Sequence, residues 1–78
     1  MTPERLKQCL ETIRWTPEIL AEALECDASL VNAWLNGAEE IPMKTGAWVQ
    51  TLASLHQASE TAKPVSLKRK RYKPPHDA

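Results

Sequence analysis

The sequence predicts an all-α protein: a compact body of four or five helices over residues 1–62, followed by a disordered basic tail over 63–78. Three observations carry that expectation. Apolar side chains recur at helical spacing through the body, and no segment alternates apolar and polar residues long enough to make a strand. Lys63-Pro64 then ends the last apolar pattern, and a run of like charges and prolines follows that cannot build a core. At 78 residues the chain holds one domain. So short a chain buries only about 60% of its unfolded surface, so its core has to be economical.

The first helix is expected from Pro3 to Arg14. Proline is tolerated in a first turn, and Leu6, Cys9, Leu10 and Ile13 form one buried stripe. The second begins at Trp15-Thr16-Pro17-Glu18. Thr16 serves as N-cap, Pro17 as first helical residue, Glu18 as the acid that suits the positive end of the dipole, and Trp15 as a staple onto Leu20. Leu20, Ala21 and Leu24 face inward. Asp27 caps a third helix that carries Val31, Trp34 and Leu35 and stops at Asn36-Gly37, a C-terminal glycine signal. Only Glu25-Cys26-Asp27 separate the second and third helices, and so short a link makes a sharp corner, the geometry of a helix-turn-helix. After a loop from Ala38 to Pro42, a fourth helix is expected from Met43 to Ser59. Its shared face is read as Trp48, Thr51, Leu52 and Leu55, with Val49 beside it, and Gly46 weakens its start by up to ~1 kcal/mol.

Formal net charge is zero, but it is divided unevenly. Residues 1–62 hold four basic and nine acidic side chains, net −5. Residues 63–78 hold six basic and one acidic, net +5. An acidic body with a basic tail points to a polyanionic partner for the tail. There is no apolar run near the roughly 18–20 residues that span a bilayer, and the N-terminus lacks the pattern of a signal peptide. The expectation is a cytoplasmic protein associated with the nucleoid, with no membrane partner.

Residues 16–37, TPEILAEALECDASLVNAWLNG, resemble the helix-turn-helix of Cro/C1-type bacterial and phage repressors. The matching features are small Ala21 at the helix crossing, inward Leu20 and Leu24, Cys26 at the buried turn position, inward Val31 and Trp34, and closing Gly37. Ile41-Pro42 and Trp48 to Ala53 resemble the continuation in small members of the group, so the similarity covers about residues 4–57. It implies a transcriptional regulator, most often a repressor, whose third helix reads the major groove of double-stranded DNA. Apart from the resemblance, Trp48 and Leu55 could form part of a homodimer face or else pack on the first helix. Three positions depart from the family. Glu25 stands where glycine is most common, Pro17 stands where glutamine touches the DNA backbone, and residues 28–36 contain neither Arg nor Lys.

On that resemblance, Ser29, Asn32, Ala33 and Asn36 are the candidate base readers. Asn can bond adenine N6 and N7 together, Ser can serve several edges, and Ala can meet a thymine methyl. Arg14, Thr16, Lys44 and Thr45 are candidate backbone contacts near helix ends. In the tail, Lys68, Arg69, Lys70, Arg71 and Lys73 are candidate phosphate contacts that supply the affinity an acidic body opposes. The bland readings are a solvated helix face for the first set, capping for the threonines, and a solubility tail for the last.

The same helical body could instead serve as a protein-interaction module or antitoxin-like adaptor, its acidic face meeting a basic protein. Cys9 and Cys26 fall at inward positions and read as small hydrophobes. With only His56 and His76 besides them, no zinc-ligand spacing occurs, and no metal or cofactor is expected. No phosphate-binding glycine loop or nucleophile–base motif is present, so the chain is not expected to be an enzyme.

Overall fold

The computed structural model describes residues 1–75; His76, Asp77 and Ala78, the end of the basic tail, lie outside it. Four helices and no strand form among the described residues: α1 (Pro3–Ile13), α2 (Pro17–Leu24), α3 (Ala28–Leu35) and α4 (Met43–Thr61). No fifth helix forms among the described residues, and residues 36–42 lead from α3 to α4.

Each of the first three helices is opened by a side-chain oxygen. Thr2, Thr16 and Asp27 stand in extended backbone at the three N-caps and accept from the N–H of Arg5, Ile19 and Ser29. Each is also closed by the same device. Arg14, Glu25 and Gly37 take left-handed backbone at φ 61°, 57° and 80°. The next N–H in each case reaches back five residues: Trp15 to the Leu10 carbonyl at 2.9 Å, Cys26 to Ala21 at 3.0 Å, Ala38 to Ala33 at 2.9 Å. This six-to-one closure satisfies carbonyls that a helix end leaves without partners. Glycine takes such backbone freely, whereas Arg14 and Glu25 take it at a cost of about 1 kcal/mol each. α1 thus ends one residue before the sequence suggests, because Pro17 forces Thr16 to be extended and the chain must turn at Arg14.

The core joins all four helices: Leu6, Cys9, Leu10 and Ile13 from α1, Leu20 and Ala21 from α2, Val31 and Trp34 from α3, Ile41 from the loop, Val49 and Ala53 from α4. Burying a side chain such as Leu6 or Leu20 contributes roughly 1.5–3 kcal/mol. α1 packs chiefly on α4, α2 chiefly on α3, and α1 bridges to α3. Trp15, half-buried, tilts against Trp48 of α4, ring centroids 6.1 Å apart. Both cysteines are free thiols, Cys9 buried and Cys26 half-buried.

The face of α4 differs from the one expected. Gly46, Val49 and Ala53 are buried, while Trp48, Thr51 and Leu55 lie on the exposed side. Bulky side chains suggested the inward stripe, but a Cβ at Gly46 would sit 3.1 Å from the Cβ of Met1, so the start of α4 meets the N-terminus too closely for a side chain there. Of the expected face, Leu52 packs against the core and Val49, expected beside it, is fully buried. α4 also runs on to Thr61, two residues past the expected end.

The whole chain is elongated, 64 × 24 × 18 Å, with a radius of gyration of 17.9 Å. A compact chain of this length would give about 12 Å. The end of α4 and the tail account for the excess, since every described residue from Gln57 onward is exposed. The tail contains two hydrogen-bonded turns, Lys68 N–H to Val65 at 3.1 Å and Lys70 N–H to Leu67 at 3.0 Å. Arg69 is left-handed at φ 62°, so this part of the segment expected to be disordered has local structure.

Candidate nucleic-acid interface

The outward side of α3 holds the candidate readers together. Ser29, Asn32 and Asn36 are exposed and follow at three- and four-residue steps, hence on one face, with half-buried Ala33 at its edge. Leu30, 39% exposed, stands beside them, so the face is polar with an apolar shoulder. Two of the polar groups are partly committed. The N–H of Ser29 donates to Asp27 Oδ1 at 2.8 Å, and the nearby Ser29 hydroxyl together with that N–H holds Asp27 below the usual aspartate range. Asn36 Oδ1 accepts from the Ala38 N–H at 2.9 Å and so helps to close α3. One lone pair of Asn36 Oδ1 is thus engaged, which ties the side chain to the end of α3 and leaves its amide donors and a second lone pair. Asn32 makes no side-chain hydrogen bond among the described residues and keeps both groups free.

The candidate backbone contacts are dispersed. Arg14 and Thr16 flank Trp15 at the α1–α2 corner, Arg14 as the left-handed residue and Thr16 as the cap of α2. Thr16 Oγ1 accepts from the Ile19 N–H at 3.2 Å, a bond that uses a lone pair and leaves the hydroxyl proton free to donate. Lys44 is exposed and Thr45 half-buried in the first turn of α4. Lys68, Arg69, Lys70, Arg71 and Lys73 occur in the exposed tail beyond α4. The structure therefore gathers the α3 readers on one face, whereas Arg14 and Lys44 belong to ends of different helices and Arg69, Lys70, Arg71 and Lys73 line one open hollow in the tail.

Helix N-termini add little attraction for an anion here. Pro17 removes one N–H at the start of α2, Glu18 follows it, and Asp27 places a carboxylate at the start of α3. Acidic side chains on the body are largely without counterions. The one ion pair among the described residues joins Glu60 to Lys63 at 3.2 Å, and His56 Nε2 lies 3.5 Å from the same carboxylate. The Lys63 hydrogen bond and charge hold the Glu60 carboxyl below its usual range, with smaller help from His56 and Arg14.

The left-handed residue at 25 could be anticipated, since glycine is usual there, but the one at Arg14 was not. Its signal was Thr16-Pro17, which fixes where α1 must stop. Among the described residues no group of three or more His, Cys, Asp or Glu side chains is placed to hold a metal ion. No helix there is long and apolar enough to cross a membrane. No protein family, curated protein or solved structure matches the chain.

Proposed function

We propose that the chain is a sequence-specific DNA-binding protein, a small transcriptional regulator acting as a repressor, with α2 and α3 as its helix-turn-helix. One observation carries the reading. Two eight-residue helices packed on each other are joined through a left-handed Glu25 and half-buried Cys26, and the second presents Ser29 and Asn32 outward beside small Ala33. A narrow, uncharged face of this kind suits the floor of the major groove, where direction-specific hydrogen bonds matter more than net charge. Asn32 is the principal reader, with Ser29 and Ala33 beside it and Asn36 held by its bond to the Ala38 N–H. Arg14, Thr16, Lys44 and Thr45 meet the flanking backbone, and the tail supplies the attraction to phosphate that the acidic body lacks.

The test is selection of bound duplexes from a random library. The expected outcome is an enriched motif with an adenine whose recognition is lost in Asn32→Ala. Recovery of unenriched DNA would leave only non-specific attachment through the tail.

A second reading, a protein-interaction module, is favoured by the acidic body and by the absence of any Arg or Lys from residues 28–36. The two readings separate on a heparin column and on random duplex DNA at low salt. Retention on both is expected of a DNA-binding protein, and failure on both favours a basic protein partner.

A further inference from the structure

Fifteen consecutive residues of α4, Thr45 to Ser59, include no Asp, Glu, Lys or Arg, in a chain of which 26% is charged. Nine of the fifteen are exposed, whereas the solvent face of a helix ordinarily carries charge. Trp48 is 38% exposed and Leu55 63%. Trp48, Thr51, Leu55 and Ala58 follow at steps of three, four and three, the spacing of a helix–helix seam, and alternate large and small. The hydroxyls near that seam are already used within the helix. Thr51 donates to the Ala47 carbonyl at 2.9 Å and Ser59 to the His56 carbonyl at 2.7 Å, which lowers the cost of removing them from water.

We propose that this face binds a second copy of the chain, the two α4 helices lying antiparallel with the two-fold axis level with Ala53. Side-chain size favours that arrangement. Trp48 then falls opposite the partner's Ala58 and Thr51 opposite the partner's Leu55, so each large side chain meets a small one, as dense packing requires. A parallel pair would set tryptophan on tryptophan and leucine on leucine.

Charge favours it independently. Antiparallel α4 helices carry each basic tail, which starts at Lys63, past the residues just before the other α4. Those residues include Glu39 and Glu40, both exposed and in no ion pair among the described residues. A parallel pair would instead bring two +5 tails together. Among the described residues Lys63 alone of the tail cations pairs with an acid of its own chain, Glu60. Self-association thus supplies small residues for the exposed parts of Trp48 and Leu55, and acids for the tail cations beyond Lys63. It does not depend on DNA binding.

Sedimentation of the intact chain at concentrations up to about 100 μM tests the proposal. A monomer–dimer equilibrium is expected, with Leu55→Lys raising the dimer Kd by about tenfold or more at unchanged helical circular dichroism. Ala58→Leu should weaken the dimer too, because the added bulk meets Trp48, although extra apolar surface would strengthen an unspecific contact. In a Cys26→Ser background, Ser54→Cys should form a disulfide between copies and Ser59→Cys should not. A chain that stays monomeric, an Ala58→Leu variant that associates more tightly, or cross-linking at position 59 in preference to 54 would each overturn it.

Discussion

Three residues, Arg14, Glu25 and Gly37, turn the chain with the same left-handed backbone, but only one is a glycine. Glu25→Gly should therefore stabilise the protein by about 0.5–1 kcal/mol, the relief at φ 57° outweighing the freer unfolded chain. Gly37→Val should destabilise it by about 1–2 kcal/mol through backbone strain alone, since nothing lies within 4 Å of a Cβ at that site. Thermal unfolding of the two variants checks both signs. At the candidate reading face, Asn32→Ala should weaken binding to the selected duplex by about 1–3 kcal/mol while leaving random DNA nearly unaffected. Equal loss on both would remove Asn32 from the readout, and circular dichroism shows whether the variant remains folded.

At the scale of elements, caps and corners were legible because their chemistry is local. Thr16-Pro17, Asp27 and Asn36-Gly37 each fix a boundary within a few residues of sequence, and all three boundaries form as expected. The inward face of α4 was not legible. Its packing depends on how closely Met1 and α1 approach, and no pattern inside α4 reveals that Gly46 and Ala53, rather than Trp48 and Leu55, meet the core. The candidate site divides likewise: periodicity placed Ser29 and Asn32 on one face, but not the diversion of Asn36 to the Ala38 N–H.

The cap of α3 also has a pH signature. Ser29 lowers the Asp27 pKa in the folded state, so the cap's contribution is present above the unfolded pKa and is lost as pH falls through the folded one. Asn caps without titrating. The Tm advantage of wild type over Asp27→Asn should therefore shrink between about pH 5 and pH 2. A constant difference would mean that the carboxylate is no better satisfied when folded than when unfolded.

For the molecule as a whole, acidic body and basic tail lie at opposite ends of an elongated particle, and their contributions to binding should be separable. Truncation after Ala62 removes six cations. Each one placed on duplex phosphate adds about 0.9 to the slope of log K against log salt, so the truncated chain should show a slope flatter by several units and little non-specific binding. Its preference among sequences should persist wherever binding is measurable. Equal slopes for the two chains would show that the tail does not touch DNA.

The same exposed tail makes the protein's charge severable. Lys68 to Arg71 offers peptide bonds after basic residues in a stretch with neither helix nor strand, whereas proline follows Lys63 and Lys73 and the body's four basic residues lie in or beside helices. Low doses of trypsin should cut the tail first. One cut after Lys68, the first tail cation not followed by proline, converts a neutral chain, pI ≈ 6.7, into a fragment with six basic and nine acidic side chains, net −3, and leaves the helices intact. On a native gel that fragment should run well ahead of the parent. Persistence of the intact chain under the same digestion would show that the tail is shielded in solution. In a cell, such a cleavage would need no change in the fold to weaken attachment to a polyanion: it would make a neutral chain anionic and leave the proposed reading helix only the few cations and hydroxyls of the body.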